Sequence, residues 1–220
     1  MPNSFRNYSA NILTADGKNL PGTVACPSNA RGLILFAHGS GSSRLSPRNR
    51  LVAAALEKIN FATFLFDLLT DEEESANNRA LVFNIDFLAN RLIDAANWVK
   101  NQPELSSQPI GYFGASTGAA AALQAAAKFP DNIFAVVSRG GRPDMAGDFL
   151  PRVHAPTLLI VGGADEDVLE LNRQALELLS CKKELSVIPG ATHLFEEAGA
   201  LEQVARLARQ WFINNLPPHD

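Results

Sequence analysis

The sequence Gly111-Tyr112-Phe113-Gly114-Ala115-Ser116-Thr117-Gly118 joins a short apolar run to an alanine-rich stretch of helix-forming residues. It contains Gly-x-Ser-x-Gly, a pattern in which the serine sits on a sharp strand-to-helix turn with a strained backbone. Such a turn needs small neighbours, and Gly114, Ala115 and Gly118 are all small. The N-terminus of the following helix offers unpaired N–H groups and the positive end of the helix dipole. The stretch therefore predicts that Ser116 is a nucleophile whose reaction generates an oxyanion.

Length and composition suit one domain, residues 1–220, because 46% of the residues are hydrophobic. The formal net charge of -4 provides no basic surface for nucleic acid, so we expect no nucleic-acid partner. Cys26 and Cys181 are too few for a disulfide framework, which favours a reducing compartment. Residues 1–11 lack the apolar core of a signal peptide, and no apolar run reaches the roughly 18 residues of a membrane span. We expect a cytoplasmic protein without a membrane partner, either a monomer or a homodimer.

Strand and helix patterns alternate along the chain. Residues 5–27 form two extended segments around Asp16-Gly17, a dipeptide that favours the tight reversal of an antiparallel hairpin. Compact apolar runs then predict six buried parallel strands: Leu33–Ala37, Ala62–Phe66, Ile110–Phe113, Ile133–Ser138, Thr157–Val161 and Leu185–Ile188. The predicted helices cover residues 47–59, 79–100, 116–128, 166–180 and 199–214. The alternation predicts a three-layer α/β fold, with a mostly parallel sheet of about eight strands and an N-terminal antiparallel hairpin.

The chemically distinctive residues follow the apolar runs. Ligands of open α/β sheets bind beyond the carboxyl ends of the strands, so the loops there are the expected place for a site. The relevant loops are His38 to Arg44, Gly114 to Gly118, Gly162 to Asp165 and Pro189 to His193. The segment from Arg139 to Pro156 has room for one brief helix but not for a large cap domain. The sequence therefore predicts an open or lightly covered site at one edge of the sheet.

A catalytic triad fits this edge. A serine hydroxyl needs a base to take its proton, and an acid to hold that base in the right tautomer. His193 and Asp165 supply these roles, and the order Ser116, Asp165, His193 is one of the known serine-hydrolase orders. The plainer interpretations are that Ser116 only caps a helix and that Asp165 only complements a helix dipole.

Other residues compete for the same roles. His219 lies in the C-terminal tail, and His154 precedes a strand, at its wrong end. We expect His38 to brace the loop that follows the first apolar run. Asp167 is the alternative to Asp165 as the acid.

Together these motifs resemble those of α/β-hydrolases of the dienelactone-hydrolase-like group, over essentially the full chain. The resemblance rests on His38-Gly39-Ser40-Gly41, Gly114-Ala115-Ser116-Thr117-Gly118, Gly163-Ala164-Asp165 with Val168, and His193-Leu194-Phe195. It implies hydrolysis of a small carboxylic ester or lactone through an acyl-enzyme, with no metal or organic cofactor. Dienelactone hydrolases proper use a cysteine nucleophile, so Ser116 argues against dienelactone itself as the substrate.

The resemblance also implies an oxyanion hole. Its donors would be the backbone N–H of Thr117, directly after the nucleophile, and one from the His38–Gly41 loop, that of Ser40. Because both are main-chain donors, this prediction gives no role to the two side chains. Loss of one such donor typically lowers turnover by about 100- to 1000-fold.

Four arginines follow predicted strands and could face the site. They are Arg44 and Arg48 after the first run, and Arg139 and Arg142 after the fourth. One interpretation pairs them with Asp67 or with the acidic residues 71–74, as is usual for surface arginines. The other is that Arg44 or Arg139 binds a carboxylate or phosphate of the substrate, because the guanidinium fork matches those groups.

Other functions stay open at this stage. A thioesterase or an amide hydrolase would use the same triad, because specificity lies in the shape of the pocket. A non-catalytic, ligand-binding member of the fold is the second alternative, although all three triad members are present. A nucleotide-binding protein is disfavoured, because the nearest phosphate-binding pattern, Gly39-Ser40-Gly41, lacks its third glycine.

Overall fold

A computed structural model describes residues 5–75 and 79–218, which are organised around one eight-stranded sheet. The strands are β1 (Phe5–Leu13), β2 (Asn19–Pro27), β3 (Leu33–Ala37), β4 (Ala62–Phe66), β5 (Ile110–Ala115), β6 (Ile133–Arg139), β7 (Thr157–Gly162) and β8 (Lys183–Ile188). Their order across the sheet is β1-β2-β4-β3-β5-β6-β7-β8. The β1–β2 and β2–β4 pairs are antiparallel, and the other neighbours are parallel. The predicted mixed sheet with an N-terminal hairpin is thereby confirmed.

The helices of the described part of the chain lie on both faces of the sheet. They are α1 (Pro47–Glu57), α2 (Asp71–Glu74), α3 (Arg79–Val82), α4 (Ile85–Lys100), α5 (Thr117–Lys128), α6 (Glu166–Leu178) and α7 (Ala200–Asn215). One core cluster joins α4 and α5 to the sheet, and a second joins α1 and α7 to the opposite face. This is the three-layer arrangement that the alternating sequence pattern predicts.

The N-terminal hairpin turns where Asp16-Gly17 predicts. Gly17 has φ +80°, a conformation that glycine adopts without steric cost. The N–H of Thr14 donates to the carbonyl of Lys18 at 2.9 Å, and the N–H of Gly17 donates to the carbonyl of Thr14 at 2.9 Å. These two bonds close the turn and fix the register of β1 against β2.

The prediction of one helix over residues 79–100 was wrong. Asn84 adopts a non-helical conformation, with φ -80° and ψ 87°, and its side chain accepts the N–H of Phe87 at 3.1 Å. This capping bond ends α3 and starts α4, because it satisfies a donor that has no partner at a helix start. The short helix α2 was not predicted, and it is fixed by a capping box between Thr70 and Glu73.

The connection between β6 and β7 leaves the sheet edge without a large cap. It contains a ten-residue 3-10 segment, Pro143–Arg152, which is kinked at Gly147, where φ is +51°. The prediction of an open or lightly covered edge is confirmed. Within residues 5–75 and 79–218, no helix combines the length and the apolar character needed to cross a membrane.

Candidate active site

Ser116 lies on the turn between β5 and α5, with φ +51° and ψ -121°. Few non-glycine residues have a positive φ, because the Cβ atom then crowds the backbone. Three backbone hydrogen bonds hold the turn: the N–H of Ser116 donates to the carbonyl of Arg139 at 3.2 Å, and the carbonyl of Ser116 accepts from Ala119 and Arg142 at 3.1 Å each. Ser116 occupies the N-cap position of α5, but its side chain makes no capping hydrogen bond. The hydroxyl is therefore not used as a helix cap.

Glycines allow the backbones around this turn to approach closely. An ideal Cβ on Gly118 would lie 2.2 Å from the carbonyl oxygen of Ala37 and 2.4 Å from that of His38. An ideal Cβ on Gly114 would lie 2.4 Å from the Cα of Ala119. These contacts bring the first turn of α5 against the end of β3, and so place Ser116 beside the loop that begins at His38.

Asp165 and His193 meet on the loops that follow β7 and β8. His193 Nδ1 lies 2.7 Å from Asp165 Oδ2, and the carboxylate is the more buried partner, with 16% of its side chain exposed against 39% for the imidazole. The two loops are joined by a hydrogen bond from the N–H of Ala164 to the carbonyl of Ala191, at 3.0 Å. The alternative acid, Asp167, is exposed. A histidine held in this way through Nδ1 presents Nε2 to other groups.

Ser116 and His193 line one cavity of about 250 Å³. The complete lining is Gly39, Ser40, Ser42, Arg48, Ala115, Ser116, Arg139, His193 and Leu194. The structure thus brings the predicted nucleophile and base to one opening, while Asp165 contacts the imidazole through Nδ1.

The remaining histidines are placed differently. His38 is buried, and its Nε2 accepts the N–H of Leu68 at 3.0 Å, so its proton lies on Nδ1, which donates to the carbonyl of Gly39 at 3.0 Å. Burial lowers the pKa of His38 below its usual value, so the ring is neutral near pH 7. His38 therefore braces its loop against the end of β4. His154 is exposed before the start of β7, and His219 lies outside the described residues.

The loop after β3 is tied directly to α5. The N–H of Ser40, one of the two predicted oxyanion donors, donates to the hydroxyl of the buried Thr117 at 2.9 Å. The N–H of Thr117 itself lies in the first turn of α5, where backbone donors have no helical acceptor. The Thr117 side chain was not expected to take part, and no local sequence signal marks this contact.

The arginines divide into two groups. Arg44 forms an ion pair with Asp67, which also accepts the Arg44 backbone N–H at 2.6 Å, and Arg44 does not line the cavity of Ser116. Arg142 forms a bidentate ion pair with Asp144, in which Nη2 lies 2.7 Å from Oδ2 and Nε lies 2.9 Å from Oδ1. Arg139 lines the cavity, as does Arg48, another of the four arginines that follow predicted strands. Asp67 holds both the main chain and the side chain of Arg44, which agrees with the interpretation that pairs this arginine with Asp67 and not with its use in substrate binding.

A mixed α/β sheet that carries a strained serine after β5 and an Asp–His pair after β7 and β8 defines an α/β-hydrolase fold. Within the described ranges, no group of three or more His, Cys, Asp or Glu side chains is placed to hold a metal ion. A family model described as dienelactone hydrolase family matches residues 20–212. The chain therefore belongs to the dienelactone hydrolase family, and this membership supports hydrolase activity.

Similar proteins agree on the fold. A dienelactone hydrolase from Anabaena variabilis, known from its crystal structure, is 51% identical and superposes with a TM-score of 0.93, over 97% of this chain and 99% of that one. Est1E from Butyrivibrio proteoclasticus, at 18% identity, shares the fold with a TM-score of 0.79, over 94% of this chain and 98% of that one.

Two curated proteins from strains of Mycobacterium tuberculosis are 62% identical over 195 residues, and both carry the provisional name of a phosphoribosyl transferase. The match covers 89% of this chain but 44% of each relative. The chain thus spans less than half the length of the curated relatives that it matches.

Proposed function

We propose that the protein is a serine hydrolase that cleaves a small carboxylic ester or lactone through an acyl-enzyme. The observation that carries the proposal is the strained Ser116, with φ +51°, in the same cavity as His193, whose Nδ1 lies 2.7 Å from Asp165. A nucleophile, a base and an orienting acid are the three parts that acyl transfer by serine requires.

Acylation begins when Ser116 Oγ attacks the carbonyl carbon of the substrate. His193 Nε2 takes the hydroxyl proton, and Asp165 stabilises the imidazolium that forms. The tetrahedral intermediate then collapses, the bond to the leaving oxygen breaks, and His193 returns the proton to that oxygen. The alcohol departs, or in a lactone the ring opens, and the acyl group remains as an ester of Ser116.

The developing oxyanion is stabilised by the backbone N–H groups of Thr117 and Ser40. Deacylation repeats the cycle with water: His193 takes a proton from the water, which attacks the acyl carbon, and then gives the proton back to Ser116 Oγ. The carboxylic acid product leaves, and the enzyme returns to its starting state. No step in this cycle needs a cofactor.

The cavity favours a small substrate. Its volume of about 250 Å³ lies below the roughly 300–1,000 Å³ of pockets that enclose drug-sized ligands. The connection between β6 and β7 adds only the 3-10 segment Pro143–Arg152 beside the opening. Thioesters and amides of similar size would fit the same machinery and are the alternative substrates.

The transferase name of the longer curated relatives is not carried over to this chain. That name describes proteins of which the chain matches 44%, and the family model for residues 20–212 is that of a hydrolase. A non-catalytic binding role is the rival proposal, and it predicts a Ser116 hydroxyl without special reactivity.

Labelling with a fluorophosphonate probe separates these proposals. We expect one adduct, on Ser116, and hydrolysis of 4-nitrophenyl acetate that falls by about 10⁴-fold or more in Ser116→Ala, as is typical for removal of a triad nucleophile. Ser107→Ala, which removes an exposed hydroxyl far from the motif, is the control and should react like the wild type. A folded wild-type protein that neither takes the label nor hydrolyses esters would favour the binding role.

A further inference from the structure

The sheet ends at β1, an edge strand that lacks the usual protection against pairing. Within residues 5–75 and 79–218, β1 pairs with β2 on one side and with no strand on the other. Exposed edges are normally protected by prolines, charges, bulges or a short length. β1 is nine residues long, has no proline, carries Arg6 as its one charged residue and pairs with β2 without a register shift. The opposite edge, β8, is shorter and carries Lys183 and Glu184. The β1 edge is therefore open to pairing with another strand.

The hydrogen-bonding pattern of the hairpin shows which backbone groups of β1 point outward. In an antiparallel pair, hydrogen-bonded and non-hydrogen-bonded residue pairs alternate. Asn11 lies opposite Pro21, which has no N–H, and the Pro21 carbonyl accepts the N–H of Asp67 at 3.0 Å, on the side away from β1. Asn11 thus belongs to a non-hydrogen-bonded pair, and its own N–H and C=O point away from β2. With a period of two, the same holds for the whole outward set of β1, which is Phe5, Asn7, Ser9, Asn11 and Leu13.

The side chains of the outward set share one face of the sheet. Ala10 and Ile12, which alternate with them, are buried in the core cluster that also contains α4, whereas every member of the outward set is exposed. The set begins and ends with a large hydrophobic residue, Phe5 with 42% of its surface exposed and Leu13 with 66%. Between them stand asparagine, serine and asparagine. The chemical character of the outward set is therefore symmetric about Ser9.

We propose that β1 pairs with β1 of a second copy of this chain, antiparallel and with Ser9 opposite Ser9, in a two-fold symmetric dimer. In this register, Asn7 faces Asn11 of the second copy, and Phe5 faces Leu13. Because the outward set supplies the N–H and C=O groups, each facing pair exchanges two hydrogen bonds, which gives about ten across the interface. The exposed hydrophobic side chains at the two ends of the set cover each other. This inference does not depend on the proposed hydrolase function.

Symmetry favours a second copy over a different strand. A two-fold interface requires a surface that is complementary to itself, and the Ser9-centred register pairs every member of the outward set with a residue of similar character. A register shifted by two residues would place Leu13 opposite Asn7 and leave Phe5 without a partner from β1. In the Ser9-centred register the two Arg6 backbones are about 20 Å apart along the strands, so like charges do not meet.

Ser9→Pro tests the edge with little effect on the monomer. The Ser9 N–H points away from β2, so proline removes a donor of the proposed interface and none of the hairpin. In sedimentation equilibrium of the full chain, we expect the wild type to show a reversible monomer–dimer equilibrium with a micromolar Kd. Ser9→Pro should raise this Kd about 10- to 100-fold, because the symmetric interface loses two hydrogen bonds. Ser9→Thr keeps the N–H and is the control, with a Kd close to that of the wild type.

Paired charges test the register. Asn7→Lys/Asn11→Lys places like charges opposite each other across the proposed interface, and Asn7→Lys/Asn11→Glu places opposite charges there. Within one chain the two positions are about 14 Å apart along the strand, so the new charges interact little inside the monomer. We expect the Kd of the first variant to exceed that of the second by about 10-fold at low salt, and high salt should reduce this difference. Neither variant contains a new proline, so the comparison stays valid if Ser9→Pro folds poorly.

The same measurements can overturn the proposal. A wild-type chain that stays monomeric up to about 1 mM refutes the dimer. If Ser9→Pro and Ser9→Thr have the same Kd, or if the two charge variants do, the dimer uses another surface and the β1 interface is refuted. Association that continues beyond the dimer contradicts a closed two-fold pair. Sedimentation reports no catalysis, so a failure of the hydrolase proposal would leave this inference standing.

Discussion

Replacing Ser116 by glycine should give a more stable protein than replacing it by alanine. Ser116 holds φ +51° and ψ -121°, a sparsely populated region in which a residue with a Cβ atom costs about 1–3 kcal/mol. Alanine keeps that Cβ, and glycine removes it. Glycine in turn loses about 0.5–1 kcal/mol more backbone entropy on folding. The difference leaves Ser116→Gly more stable than Ser116→Ala by roughly 1 kcal/mol, within a range of about 0–2.5, which is about 2–4 °C in Tm for a chain of this size.

The assay is thermal and urea unfolding of the two variants, followed by circular dichroism. Both variants lack the Ser116 hydroxyl, so the difference between their free energies of unfolding does not contain the loss of that hydroxyl. Ser107 supplies the control pair, because it is exposed and its φ is not positive. There, glycine should be less stable than alanine by about 0.4–1 kcal/mol. If glycine is also the less stable residue at position 116, the turn stores no strain and the argument for a forced nucleophile geometry is refuted.

Two further predictions concern the loop after β3. His38 has a folded-state pKa below its unfolded value, so its contribution to stability is complete above pH 6.5 and is lost as the pH falls below that value. In His38→Asn we therefore expect the free energy of unfolding in urea to fall less steeply on the acid side, by up to about 1.4 kcal/mol per pH unit. The control is His154→Asn, at an exposed position, whose profile should follow the wild type. Parallel profiles for wild type and His38→Asn would contradict the neutral, buried imidazole. Gly118→Ala places a Cβ about 2.2 Å from the carbonyl oxygen of Ala37, so we expect a loss of about 1–3 kcal/mol in the free energy of unfolding. We also expect a lower kcat on 4-nitrophenyl acetate in that variant, and full retention of both properties would show that the first turn of α5 can move away.

The sequence predicted the sheet well because parallel strands that are covered on both faces are continuous apolar runs. The bounds of β3 and β4 coincide with the predicted runs, and every residue of the two strands is buried. The helix boundary at Asn84 was missed because one local side-chain bond to Phe87 decides it against an otherwise helical pattern. Periodicity reports which faces are buried, and it reports little about where a single capping bond interrupts a helix.

The arginines show where sequence reasoning about the site stops. Arg44 follows β3 and Arg139 ends β6, so a place near the end of a strand does not by itself separate them. A tertiary contact separates them: Asp67, which follows β4, binds both the main chain and the side chain of Arg44. Among the residues that the structure describes, no carboxylate pairs with Arg139 in this way, because its register beside Ala115 directs it toward Asn49. The choice depends on which carboxylates the neighbouring strands bring within reach.

The hydrogen bond between Ser40 and Thr117 is likewise a tertiary contact that no local pattern predicts, and it bears on the proposed chemistry. It joins residues 77 positions apart, and it forms because Gly39 and Gly118 let the loop after β3 approach the start of α5. An ideal Cβ on Gly39 would lie 3.0 Å from the Cβ of Ser116, so the loop that carries the Ser40 N–H is in close contact with the proposed nucleophile. A neutral hydroxyl is a weaker acceptor than an oxyanion, so negative charge that develops on a carbonyl beside Ser116 competes favourably for this N–H. In the structure the Ser40 N–H is thus bound to the Thr117 hydroxyl, so its proposed role as an oxyanion donor requires this bond to be exchanged for one to the developing oxyanion.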